Sequence, residues 1–133
     1  MRRKELKMTP EKKVKTEVVR ILKIYGAYYF YPVAGGYGAA GVPDIVGCYN
    51  GRFFAIECKA GKGKTTALQE RNIAQIHGQA GYAIVVNETN TQDVAEMMKR
   101  IWELDFGMRE TKKAKEAKEA KEAKEAKEAK ETK

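Results

Sequence analysis

No uninterrupted apolar run in the 133 residues approaches the roughly 18 to 20 that a membrane-spanning helix needs, so a soluble chain with no membrane partner is expected. The opening MRRKELKMTPEKK is charged and holds no apolar stretch of the secretory kind, which predicts no export address. Only two cysteines occur, Cys48 and Cys58, too few for a disulfide framework and wrongly spaced for a thiolate metal site. These absences together predict an intracellular, cytoplasmic location. The single histidine, His77, falls on the side of its helix opposite Leu68, which reads as a solvated side chain rather than a catalytic one.

Positive charge is in excess: 26 Lys and Arg stand against 18 Asp and Glu, a formal +8. Residues 109–133 hold 10 basic residues against 7 acidic ones, and residues 1–108 hold 16 against 11, so the folded part is itself basic. A basic compact domain attracts polyanions whatever its fold, and nucleic acid leads that class. From Ala114 onward the chain repeats Ala-Lys-Glu, three strong helix formers. A three-residue period drifts by about 60° per repeat on a helix, and nothing larger than Ala is apolar, so this segment has no fixed docking face. The expected organisation is therefore a domain over 1–108 and a solvated tail over 109–133, helical or disordered.

Thr9-Pro10-Glu11 has the form of an N-cap, a proline at the first helical position and an acid in the first turn, and the helix should end at Gly26. On a helical projection Val14, Val18, Ile21, Leu22 and Tyr25 all fall within one arc of about 100°, a single apolar stripe. Glu17 falls about 40° beyond the Ile21 end of that arc, at the edge of the stripe. It either leans out to solvent or needs a partner or a cation there. Strands are expected at 27–32, 44–48, 52–59 and 82–86, a glycine-rich loop at 34–41, a second helix from Thr66 to about Ala80, and a third from Asn90 or Thr91 to near Asp105. The order α-β-β-β-α-β-α predicts an α/β fold, a mixed four-stranded sheet flanked by helices. Met97, Met98 and Trp102 on the last helix serve equally as core or as a dimer surface.

Asn50-Gly51 between two β-rich runs is a hairpin signal. With a two-residue turn, paired positions sum to 101, which sets Asp44 opposite Glu57 and Lys59 on the same face. Carboxylates directly opposite one another repel, and a hard divalent cation such as Mg²⁺ is the simplest remedy. An adjacent lysine suits phosphodiester hydrolysis, where charge builds on the non-bridging oxygens. The bland alternative is a surface ion-pair cluster of Asp44, Glu57 and Lys59. Cys48 and Cys58 point to opposite faces of this hairpin, which excludes a disulfide between them.

Gly41-Val42-Pro43-Asp44, twelve residues, then Glu57-Cys58-Lys59 resembles the PD-(D/E)xK nuclease signature, and the Gly-x-Pro-Asp form followed by Thr66-x-x-Gln69 is similar to its VRR-NUC subgroup. The resemblance covers about Glu11 to Val86. It implies a restriction-endonuclease-like core and a Mg²⁺- or Mn²⁺-dependent endodeoxyribonuclease. Asp44, Glu57 and the backbone carbonyl of Cys58 would be metal ligands, Lys59 would position or activate water, Glu17 would be the acid of the first helix, and Gln69 the glutamine near the site. It also implies a homodimer acting on branched DNA such as Holliday junctions or flaps. A partner-targeted restriction or mobile-element nuclease, or a basic module that binds nucleic acid without cutting it, are the alternatives.

Thr66-x-x-Gln69 is equally a capping box, so Gln69 has two readings. Lys62 and Lys64 could touch phosphates or simply aid solubility. Gly63-Lys64-Thr65 mimics the end of a nucleotide-phosphate loop, but the required first glycine would fall on Cys58 inside a strand, which excludes that motif.

Overall fold

The computed structural model describes residues 8–33 and 40–131. Of the glycine-rich loop expected at 34–41, only residues 40 and 41 lie within the described residues. The order along the chain is α1 (Pro10–Tyr25), β1 (Tyr28–Phe30), β2 (Ile45–Tyr49), β3 (Arg52–Cys58), α2 (Ala67–Gly78), β4 (Tyr82–Val86) and α3 (Gln92–Glu131). The α/β class and the element order are those the sequence predicts.

α1 starts where the Thr9 hydroxyl accepts the Lys12 N–H at 3.2 Å, and it stops at Gly26, which takes the left-handed conformation. It buries Val14, Val18, Ile21 and Leu22, the predicted stripe. β1 is shorter than 27–32, because Pro32 has no N–H to extend a ladder. The sheet order is β1-β2-β3-β4; β1, β2 and β3 form an antiparallel meander, and β4 pairs with β3 in parallel after the α2 crossover.

Alternation along β3 decides which side chains meet which helix. Phe54, Ile56 and Cys58 face one layer, where they pack with Val18 and Leu22 of α1 and Val94, Met98 and Ile101 of α3. Ala55 faces the other layer with Val46 and Ala83, covered by Ile73 and Ile76 of α2. Glu57 and Lys59 share the side of Ala55, and so look toward α2.

Two expected helix ends change. α2 ends at Gly78, not near Ala80: Ala80 turns left-handed (φ 61°) and the Gly81 N–H bonds the Ile76 carbonyl at 2.9 Å, closing the helix early. α3 does not end near Asp105 but runs to Glu131. No proline interrupts it, and the one interior glycine, Gly107, costs only about 1 kcal/mol against a run of strong helix formers. Of the three residues read either as core or as dimer surface, Met97 and Met98 are core, 4% and 0% exposed, and Trp102 is 53% exposed.

The chain divides into two compact units, Met1–Ile101 and Trp102–Lys133. In the second, every described repeat side chain is exposed. No helix among the described residues is long and apolar enough to cross a membrane.

Candidate active site

Asn50 and Gly51 both have positive φ, 51° and 80°, the geometry of a two-residue hairpin turn whose twist matches the strands. That turn sets the register Tyr49↔Arg52 through Ile45↔Ile56, each pair summing to 101 as the sequence requires. The ladder stops at Ile45. Asp44, one residue beyond it, is held by its side chain in place of a backbone rung: its Oδ2 accepts the Cys58 N–H at 2.9 Å, and its carboxyl still lies beside that of Glu57, as the register predicts. In an extended strand the N–H and C=O of one residue project to the same side, which turns the Cys58 carbonyl toward Asp44 as well. Lys59 continues the other edge, its N–H bonding the Val86 carbonyl at 2.8 Å.

Gly41, ahead of Asp44, has a φ of 76°, and a side chain there would stand 2.6 Å from the Leu68 backbone. The Gly-Val-Pro-Asp segment thus lies against the first turn of α2, which also carries Gln69. The two readings of Gln69 prove compatible, because one amide does both tasks. Its Oε1 accepts the Thr66 N–H at 2.9 Å in a complete capping box, and its Nε2 donates to Glu57 Oε1 at 2.9 Å.

Glu57 is the one buried charged residue among those described, 3% exposed. Lys59 Nζ lies 3.6 Å from its Oε1. Both partners address that oxygen; Oε2 is buried with no N–H donor among the described residues, and the Asp44 carboxyl lies against Glu57. Burial, then the nearby Asp44 charge, raises the Glu57 carboxyl to about 7, with Lys59 only partly opposing. Asp44 has a cation of its own, Lys15 of α1, at 3.4 Å. Burial works against the Lys15 ammonium, yet the Asp44 and Glu11 charges outweigh it and its pKa is raised. Burial and the Asp44 charge push the Cys58 thiol up to about 12, so that sulfur is inert.

Asp44, Glu57, Cys58, Lys59 and Gln69 are thus brought together at one end of the sheet. Glu17 is not among them: its carboxylate takes two bonds from Arg20, including Nε at 3.0 Å, and the ion pair holds its pKa low. The helix itself explains this, since Glu17 lies about 160° around α1 from Lys15, the residue that reaches the site. Glu11, one turn before Lys15 and exposed, adds only a lesser negative charge near Lys15 and the Cys58 thiol. Glu11 and Lys15, four residues apart, were legible as a same-face pair, but only the fold shows that this face adjoins the hairpin. Lys62 and Lys64 are exposed in the turn after β3, where the Gly61 N–H is held by both oxygens of Glu88 at 3.0 and 3.1 Å. His77 is exposed, and its Nε2 lies 3.0 Å from the Ala83 carbonyl, so it ties α2 to β4. Cys48 is exposed and Cys58 buried, both as free thiols.

Among the described residues no three His, Cys, Asp or Glu side chains gather as a metal-holding group. The two carboxyls of Asp44 and Glu57, with the Cys58 carbonyl, are oxygen donors of the kind that hard divalent cations take, and would suit such a cation better than a thiolate- or imidazole-seeking metal. No protein-family model matches the chain, and no curated protein matches it.

Proposed function

We propose that the protein is a Mg²⁺- or Mn²⁺-dependent DNA endonuclease of the PD-(D/E)xK superfamily, VRR-NUC type, that hydrolyses phosphodiester bonds. The observation that carries this reading is the pair of carboxyls of Asp44 and Glu57 held together at the end of the sheet, with Oε2 of Glu57 buried and offered no N–H donor among the described residues. A buried carboxylate oxygen without a donor costs about 1–3 kcal/mol or more, so a protein that keeps one in a polar cluster has a use for it. Asp44, Glu57 and the Cys58 carbonyl would hold the cation. When bound, it stabilises charge on the phosphate and lowers the pKa of attacking water.

The protein's own groups divide the remaining work. Gln69 and Lys59 occupy Oε1 of Glu57, which fixes the carboxylate plane and leaves Oε2 available. Lys59, whose side chain is 17% exposed, places an ammonium beside Glu57 where it can donate to the attacking water or to a non-bridging oxygen of the scissile phosphate. Lys15 neutralises Asp44 before cation and substrate arrive, and offers a second positive charge to phosphate.

A compact unit of about a hundred residues has little room for a base-reading domain, which favours recognition of DNA shape, such as flaps or Holliday junctions, by a homodimer in the cytoplasm. The test is incubation with linear duplex, single-stranded, flap and four-way-junction DNA under Mg²⁺, Mn²⁺ or EDTA, with the mass in solution measured alongside. Cleavage with either metal and none in EDTA is expected. Intact binding without cleavage of any substrate would overturn the enzyme reading, and a monomer that resolves junctions would overturn the paired-site one.

A further inference from the structure

A groove of about 590 Å³ runs along α1, lined by Lys12, Lys15, Thr16, Arg20, Lys23 and Tyr31. The helix residues among these fall on one arc of about 140° on the side of α1 opposite the buried stripe, so nothing in the core requires their charge. Four cations and no carboxylate line it. Arg20 is committed to Glu17, and Lys15 to Asp44. Lys12 and Lys23 are exposed and have no ion-pair partner among the described residues.

We infer that this face of α1 is the track on which the phosphate backbone of the DNA strand lies as it enters the active site. The inference rests on the endonuclease reading and adds the path of its substrate. Lys12 and Lys23 are eleven residues apart, about 16 Å at about 1.5 Å per residue, which matches roughly five base-pair steps measured along a duplex axis at about 3.4 Å each, so the two ammonium groups can meet separate phosphates. Lys15 makes the track continuous with the chemistry, because the same ammonium that lines the groove contacts Asp44 at 3.4 Å. A phosphate arriving there exchanges one anionic partner of Lys15 for another. Tyr31, 56% exposed at the groove wall, offers a ring face on which an unpaired base can stack.

The experiment is a salt titration of binding to fluorescently labelled duplex and four-way-junction DNA in EDTA, by anisotropy, with cleavage in Mn²⁺ measured in parallel. The full chain is compared with Lys12→Gln/Lys23→Gln, which keeps helix propensity, and with Lys118→Gln/Lys124→Gln, which removes the same charge from the repeat. The track variant should weaken binding about tenfold or more at about 100 mM salt and flatten the plot of log K against log salt by about 2 on both DNAs. The repeat variant should change the slope by less than half as much. Equal loss in both variants, or an unchanged slope in the track variant, overturns the track even if the protein cuts DNA. The expected slope change with no cleavage of any substrate sustains the track and refutes the nuclease reading instead. Binding to anionic phospholipid vesicles with none to DNA overturns the assignment to nucleic acid.

Discussion

Replacing Glu57 by Gln should make the metal-free protein more stable at pH 8 and no more stable at pH 5. The buried carboxyl titrates at about 7 in the folded protein against 4.5 when exposed. Because the folded value is the higher one, the unfolded chain gives up its proton first as pH rises. The contribution to stability is whole below pH 4.5, falls between 4.5 and 7, and is lost above 7, an amplitude of about 3 kcal/mol. The Glu57→Gln variant would carry no such cost, but it leaves Lys59 without its counter-charge, which returns about 1 kcal/mol. A net gain of about 2 kcal/mol at pH 8 corresponds to roughly 8–16 °C in Tm for a folded unit of this size. Calorimetric unfolding in EDTA at pH 5, 6, 7 and 8 measures it. Wild type should lose Tm with rising pH relative to the variant, and the two should converge at pH 5. Adding Mn²⁺ at pH 7.5 should then raise the Tm of wild type, by about 2.7 kcal/mol at a hundred times Kd, and leave the variant unmoved. Parallel pH curves, or a variant less stable at pH 8, would refute the claim that Glu57 is held at a cost to the fold.

Thr66→Ala removes the capping half of the Gln69 arrangement and should cost about 1 kcal/mol while cleavage persists, whereas Gln69→Ala should lose both stability and, by about tenfold or more, the cleavage rate; unfolding and initial-rate assays separate the two. Lys59→Met should lower cleavage about 100-fold or more with DNA binding retained, and full activity would remove the role given to that ammonium. Glu17→Gln should leave cleavage within about twofold in initial-rate assays, and a larger loss would place that carboxylate at the site after all. Gly41→Ala should destabilise by about 2 kcal/mol or more, since it combines a left-handed φ with a 2.6 Å approach to Leu68, and an unchanged denaturant midpoint would contradict that contact.

How far the site was legible differs residue by residue. The Asn50-Gly51 turn fixes the hairpin register by local chemistry alone, so the proximity of Asp44, Glu57 and Lys59 could be counted from sequence. That the Asp44 side chain also takes the Cys58 N–H where the ladder stops could not, because where a ladder frays depends on what packs beyond it. Gln69 shows the same limit: a capping box is a local pattern, and its second bond to Glu57 exists only because the sheet lies under that helix turn.

By itself, the sequence determined the elements, their order, the hairpin pairing and the alternation that puts Glu57 and Lys59 on one face, since all of these follow from spacings shorter than a helix or a strand. Only the tertiary structure decided which side of α1 meets the hairpin. A helix has one stripe for the core and several angles for everything else, and the docking angle selects Lys15 for the site while Glu17 stays paired with Arg20 one turn along the same helix. It also decided the burial of Glu57, and burial, more than any residue beside it, raises the carboxyl to about 7 and leaves one oxygen without an N–H donor among the described residues.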